Sequence, residues 1–302
     1  MSDPITIDGR VAVVTGAGGG LGRTYAMELA RRGARVVVND LGGSVDGTGA
    51  SSSAADLVVA EIVAAGGEAV ANYDSVASTE GGASIVQTAL DVFGTVDIVV
   101  SNAGILRDKS FANMIPDEIE AVLQVHLKGG FNVAHPAFKV MKEKGYGRFV
   151  FASSGSGLFG NFGQSNYGAA KMGLVGLSNV LAIEGAKYGI KSNAIAPIAH
   201  TRMTEELLGP IAEAFAPELV TPLVVYLCSE ANEYSHEIFT VGGGRYARVF
   251  VGTNHGWFAG SDVVPSVEDV AANIDTIRDL TDYMVPANST EEIMYVGSLL
   301  GG

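Results

Sequence analysis

The stretch that most narrows what this chain can fold into is Arg10 to Gly22, RVAVVTGAGGGLG. A short β-branched run ends in a cluster of glycines, and the helix-forming TYAMELARRG follows. Strand, glycine turn and helix in that order make a phosphate cradle. Glycines let the backbone approach an anion, and the helix start offers unpaired N–H groups and the positive end of a dipole. The same string could be an ordinary strand-to-helix turn, so the neighbouring pattern has to decide.

That pattern is a repeat of apolar runs and helical stretches. Ala34 to Asn39 is a second β-rich run, and it ends in Asp40. An acid about twenty positions past a glycine turn can accept both hydroxyls of an adenosine ribose and repel a 2′-phosphate, which favours NAD. The alternative is a turn aspartate before Gly42 and Gly43. From Gly42 to Ser53 every residue but Val45 is small or polar, which reads as a mobile loop beside the adenosine. A helix over 54–65, a strand over 68–73 into Asp74 and Ser75, and a helix over 82–93 come next. A strand over 96–100 then runs into Ser101, Asn102, Ala103 and Gly104. One helix is predicted over 116–144, with Ile119, Val122, Leu123, His126 and Val133 at apolar spacing. His126 is there either a satisfied core residue or a catalytic group. Strands over 148–152, 191–196 and 238–241, with helices over 165–181 and 217–230, complete the series. The alternation predicts an α/β, Rossmann-like doubly wound parallel sheet of about seven strands with helices on both faces. Three strands ending in small or acidic residues place a ligand at one edge of that sheet.

The segment FASSGSGLFGNFGQSNYGAAK, residues 151 to 171, carries groups suited to proton transfer. Tyr167 and Lys171 stand four apart in a helical stretch, so both project from one face, one turn apart. Ser154 follows a strand end that would deliver its hydroxyl to the same edge. A free tyrosine titrates near ~10, so work as a base at pH 7 needs about 4 kcal/mol of differential stabilisation. A close ammonium supplies part of it and a cationic cofactor ring more. A core tyrosine beside a solvated lysine is the competing reading.

Charge excludes some partners. Nineteen basic against 33 acidic residues give −14, which argues against nucleic acid. Residues 261–302 hold eight acids and one base, Arg278, and so carry −7, half of the total. The opening MSDPITIDGR has no apolar signal region and no uncharged apolar run approaches a membrane span, so a soluble chain with no membrane partner is expected. The single Cys228 reads as a small buried apolar residue. The histidines at 126, 135, 200, 236 and 255 have no ligand spacing, and no metal is expected.

Taken together, these residues resemble the short-chain dehydrogenase/reductase family, from Asp8 to about Gly244 or about four-fifths of the chain. Thr15, Gly16, Gly20 and Gly22 match its Thr-Gly-x-x-x-Gly-x-Gly. Asn102, Ala103 and Gly104 match its Asn-Ala-Gly, and Ser154, Tyr167 and Lys171 its catalytic residues. The resemblance implies Tyr167 as acid/base and Ser154 as the binder of the reacting oxygen. Lys171 would then lower the tyrosine pKa and hold the nicotinamide ribose. It also implies a cofactor set of Gly16, Gly20, Leu21, Gly22, Asp40, Leu41, Asp74, Ser75, Asn102, Ala103, Gly104, Tyr167, Lys171, Pro197 and Thr201, with Asp74 at the adenine and Thr201 at the carboxamide end. Two departures stand out. His126 takes the place of an asparagine that anchors a relay water, and Pro197-Ile198 replaces Pro-Gly.

VVVNDLGG, NAGILRDKSF, VHLKGGF and GNFGQSNYGAAKMGL look like the (3R)-hydroxyacyl-CoA dehydrogenase group of fatty-acid β-oxidation. The implied activity is NAD-dependent oxidation of a (3R)-3-hydroxyacyl-CoA, with Arg107, Lys109, Arg202, Arg245 and Arg248 as candidates for the CoA phosphates. A 3-oxoacyl-carrier-protein reductase, a hydroxysteroid dehydrogenase and a non-catalytic dinucleotide sensor are the alternatives. The expected layout is a dehydrogenase domain over 1–250 and a carboxyl-terminal extension over 251–302. Ser266-Val-Glu-Asp269 and Ser289-Thr-Glu-Glu292 are read as starts of two amphipathic helices in it. Their apolar stripes are expected to be buried on the core or a second subunit, making a homodimer or higher homo-oligomer. Without further domains or a peroxisomal address in SLLGG, a stand-alone cytoplasmic enzyme is expected.

Overall fold

A computed structural model describes residues 4–49, 51–201 and 209–301. Its sheet is built from β1 (Val11–Thr15), β2 (Arg35–Asn39), β3 (Glu68–Asn72), β4 (Ile98–Ser101), β5 (Gly147–Ala152), β6 (Ile190–Pro197), β7 (Ile238–Gly242) and β8 (Arg245–Val249). Their spatial order is 3-2-1-4-5-6-7-8. The pairings from β3 through β7 are all parallel, so seven carboxyl ends, from β1 to β7, reach one edge. Strand order reverses at β1, between β2 and β4, which opens a crevice at the ends of those strands. β8 is one strand more than the expected seven. It follows β7 after a two-residue turn, Gly243-Gly244, a connection only antiparallel neighbours allow.

Both faces of the sheet are covered, and the alternation within β1 shows how. Ala12 and Val14 pack on one side with Tyr25 and Leu29 of α1 (Gly20–Arg31), Val58 and Ile62 of α2 (Ser53–Ala64) and Val224 of a later helix, Thr221–Cys228. Val11 and Val13 face the other way, toward Ile85 and Ala89 of α3 (Thr79–Phe93) and two long helices further on. Each β-branched residue thus meets a neighbour whichever way it points, as a doubly covered parallel sheet requires.

The helix predicted over 116–144 is broken. α4 (Pro116–Leu123) passes into a π-helical turn, Gln124–Lys128, before α5 (Gly129–Lys144). The widened turn carries His126 into the interior, where it bonds the backbone of Ile105. Such an insertion leaves no mark in an apolar period. A short α6 (Gly155–Phe159) precedes α7 (Ser165–Gly185), which extends one turn past its predicted end. The expected helix over 217–230 is a 3₁₀ turn, Pro217–Leu219, followed by α8 (Thr221–Cys228). Cys228 is buried in α8, and burial pushes its thiol up to about 12.

The chain divides into two compact units, 1–248 and 249–302. In the second, β9 (Thr253–Asn254) pairs antiparallel with β10 (Tyr283–Met284), and α9 (Val267–Ala272) and α10 (Ile274–Arg278) lie between them in sequence. Ser266 and Asp269 exchange bonds as a capping box. The next helix, α11 (Ser289–Ser298), is capped by Asn288 and not by Ser289, because the Asn288 side chain is the one that accepts from Glu291 N. The apolar stripes expected to be covered are open in this chain: Val267 is 81% and Ile293 68% exposed.

Candidate active site

A cavity of about 440 Å³ lies at the carboxyl ends of β1 to β4. Gly16, Gly20 and Leu21 form its floor, and Asp40, Leu41, Asp74 and Ser75 line one side. Asn102, Ala103, Gly104 and Thr201 line the other. The glycine turn is shaped by its neighbours. A Cβ on Gly22 would lie 2.1 Å from Gly16 O and 2.7 Å from Asn102 Nδ2, so only glycine lets α1 start this close to β1. Asn102 Nδ2 donates to Thr15 O and Gly16 O at 3.1 Å, while Thr15 Oγ1 accepts the N–H groups of Asn102 and Ala103. The Asn-Ala-Gly segment therefore holds the turn as well as walling the cavity. Asp40 has two roles at once: it lines the cavity, and its carboxylate accepts from Gly18 N at 2.7 Å and Gly42 N at 2.6 Å. Asp74 lines it too, with Oδ2 accepting from Asn72 Nδ2 and Ser84 Oγ.

The loop over 42–53, read from sequence as mobile, is tied down. Asp46 accepts from Ser44 Oγ, Thr48 N and Thr48 Oγ1, bonds that hold its carboxyl near 2. Leu106 N donates to Val45 O at 2.9 Å and Arg107 Nε to Asp46 O at 3.0 Å, so the loop spans from Asp40 to the 105–107 segment. Val45, Gly47, Val76, Ile105 and Arg107 also line the cavity. The sequence reading missed them as cofactor neighbours, since only chain crossing brings them there.

Ser154, Tyr167 and Lys171 come together beside that cavity. Ser154 ends the run from β5 and caps α6, its Oγ accepting from Ser156 N at 3.2 Å. Its own proton is therefore free to serve the Tyr167 phenol, with which it hydrogen-bonds. The Tyr167 ring packs against a buried cluster of Ile105, Val122 and Ala170, of which Ile105 is a cavity wall, and meets His126 edge-on at a centroid distance of 5.0 Å. Lys171 Nζ lies 5.4 Å from the centre of that ring and donates to Ala152 O at 2.5 Å.

The expected acidification of the phenol is reversed here. Burial pushes Tyr167 up to about 12 against the opposing Ser154 bond, and Asp108 adds to the rise. Lys171 is itself brought down to about 7 by burial, so at neutral pH it carries only part of a charge, and that charge is spent on a carbonyl. Both shifts have burial as their leading cause, which disfavours the charged form of each group.

His126 is 2% exposed and held well below its usual range by burial and then by the Lys171 charge, so it is neutral at pH 7. Nε2 lies 3.0 Å from Ile105 N and 2.8 Å from Ile105 O, and a single ring nitrogen serves one of them. Nδ1 is buried with no partner among the described residues. Gly104 makes room for the ring, as a Cβ there would lie 2.3 Å from His126 Cε1.

Pro197 closes β6 opposite Val241, outside the cavity lining. Of the basic candidates, Lys109 pairs with Glu118 at 2.5 Å, Arg248 pairs with Glu237, and Arg107 is bonded to the loop. Arg245 is exposed, and Arg202 lies outside the described residues. A larger groove of about 530 Å³ runs along α1 and Gly66-Gly67, but its charged lining is spent on pairs such as Arg23 with Glu61 and Arg32 with Glu28.

This edge cavity, with a hydroxyl, a phenol and an ammonium beside it, defines a dinucleotide-dependent oxidoreductase site, and comparison with known proteins agrees. The family model for short chain dehydrogenase matches residues 10–209, and the chain belongs to that family. It is thus an enzyme acting on CH–OH groups, with a nicotinamide dinucleotide, NAD or NADP, as cofactor. Over 276 residues it is 58% identical to a short-chain type dehydrogenase/reductase of Mycobacterium tuberculosis, covering 91% of this chain and 96% of that one. It is 55% identical over 245 residues to peroxisomal multifunctional enzyme type 2 of Mus musculus. That match covers 81% of this chain but only 33% of the mouse protein. The full-length multifunctional enzyme type 2 from Drosophila melanogaster superposes with a TM-score of 0.83 at 37% identity, over 98% of this chain and 50% of that one.

Proposed function

We propose that this chain oxidises (3R)-3-hydroxyacyl-CoA to 3-oxoacyl-CoA with NAD. The observation that carries the reading is the packing of Tyr167, with Ser154 and Lys171 beside it, against the small buried cluster that contains Ile105, a wall of the glycine-lined cavity. The acyl-CoA substrate is supported by likeness to the dehydrogenase region of the multifunctional enzymes.

The cavity suits a dinucleotide: its glycine floor leaves backbone N–H groups at the start of α1 for a pyrophosphate, and Asp40 stands where ribose hydroxyls need an acceptor. Asp40 is also what favours NAD over NADP. A nicotinamide held there would supply the hydride acceptor for the substrate carbon. Tyr167 takes the hydroxyl proton, and Ser154 donates a hydrogen bond to the oxygen on which charge develops. Lys171 steadies the phenolate through its partial charge and offers N–H donors to a ribose. With the phenol near 12, Tyr167 is protonated at neutral pH and its proton-accepting phenolate form grows as pH rises, so the oxidative direction gains with pH. We also infer a homo-oligomer, since α5 and α7 leave Phe131, Val180 and Ile183 each 50% exposed.

Steady-state kinetics with R and S 3-hydroxyacyl-CoAs of several lengths, each with NAD and NADP, tests the reading. Turnover of the R series with NAD is expected, and Tyr167→Phe should lower it by about 100-fold or more. Faster turnover with NADP, or near-full activity in the variant, would overturn it.

A further inference from the structure

We propose that Asp108 and Gln164 form a brace that positions Ser154 and holds the cavity-wall segment 105–109 against the start of α7. The proposal rests on the reading of Ser154 and Tyr167 given above.

Gln164 directly precedes α7, three residues before Tyr167. Its Nε2 donates to Asp108 Oδ2 at 2.6 Å, and its Oε1 accepts from Ser156 Oγ at 2.6 Å and Asn161 Nδ2 at 3.0 Å. A carboxylate can only accept, so the amide cannot flip without setting oxygen against oxygen. With its hydroxyl proton committed to Gln164, Ser156 is fixed in α6, and its backbone N–H reaches Ser154 Oγ. The chain Asp108, Gln164, Ser156, Ser154 therefore decides which lone pair of Ser154 is occupied and leaves the Ser154 proton free to turn from the Tyr167 phenol to the reacting oxygen when substrate enters.

Two further bonds join the same two segments, and a third ties the start of α7 to α4. Lys109 N donates to Gly163 O at 2.9 Å, and the buried Asn166 donates from Nδ2 to Arg107 O at 3.0 Å and Glu118 O at 3.1 Å. Those bonds fix the backbones. Among these bonds of the described residues only the Asp108 to Gln164 contact runs on into the serine's turn, and a hydrogen bond to a carboxylate is about twice as strong as one between neutral groups. Neither side chain touches the reacting atoms, so both are positioning residues.

The test compares Asp108→Ala, Asp108→Asn, Gln164→Ala and the double alanine variant in the full chain. Asparagine keeps an oxygen that accepts from Gln164, and both Asp108 variants remove the charge beside Tyr167, so their difference isolates the bond. Each alanine variant should lower kcat by about tenfold with the NAD Kd unchanged, and the double variant should be no slower than the worse single one. Asp108→Asn should stay within about twofold of the parent. Amide exchange in the 153–160 peptide, which needs no substrate, should quicken in both alanine variants and not in Asp108→Asn. Parent-like kcat and exchange in Asp108→Ala, equal loss in the Asn and Ala variants, or losses that multiply in the double variant would overturn the brace. An active Tyr167→Phe enzyme would sink the reaction reading alone, and the exchange experiment would still decide on the brace.

Discussion

Lys171 shows how much a site can cost the fold that carries it. The residue is 4% exposed, and burial lowers its pKa from 10.5 to about 7. Between pH 7 and 10.5 the unfolded chain therefore holds more of this proton than the folded one, and stability rises with pH across that window. Below pH 7 the full cost applies, on the order of a few kcal/mol. Lys171→Met should accordingly raise the melting temperature by several degrees at pH 6, lose most of that advantage by pH 10, and abolish turnover. Calorimetry at the two pH values checks it, and a gain that grew with pH would contradict the burial account. The spacing of Tyr167 and Lys171 was legible from sequence because a helix fixes it. The direction of the phenol's shift was not, since it depends on how dry the pocket is, which no spacing reveals.

At the scale of elements, the informative departures are segments whose bonds go to distant parts of the chain. The 42–53 loop has a composition that reads as mobile, yet Asp46 closes a turn within it and the 106–107 backbone and side chain hold it across the cavity. Removing those Asp46 bonds by Asp46→Ala should weaken dinucleotide binding by about three- to tenfold in all, because water replaces the lost bonds of this exposed carboxylate, with kcat at saturation little changed. Fluorescence titration of the reduced dinucleotide measures this, and an unchanged Kd would show that the loop does not help retain it. The turn at Gln124–Lys128 teaches the same lesson. Its apolar period matched a continuous helix, and only the pairing of His126 with Ile105 shows why the helix widens there.

For the molecule as a whole, apolar surface remains to be covered. Phe131, Val180 and Ile183 on the dehydrogenase unit, and Val267 and Ile293 on the second unit, are exposed in the single chain. Light scattering should give at least twice the 31.1 kDa chain mass, and a particle of one chain's mass would refute the oligomer. By itself the sequence determined the layered α/β fold, the glycine cradle and the spacing of Ser154, Tyr167 and Lys171, because each follows from local periodicity or from a turn that only glycine can make. Tertiary structure alone decided the rest: an eighth strand, a neutral His126 clamped on Ile105, a phenol made less acidic, and the link from Asp108 through Gln164 to Ser154. Burial and hydrogen-bond partners are set by which distant segments meet, and that information is not carried by any one stretch of chain.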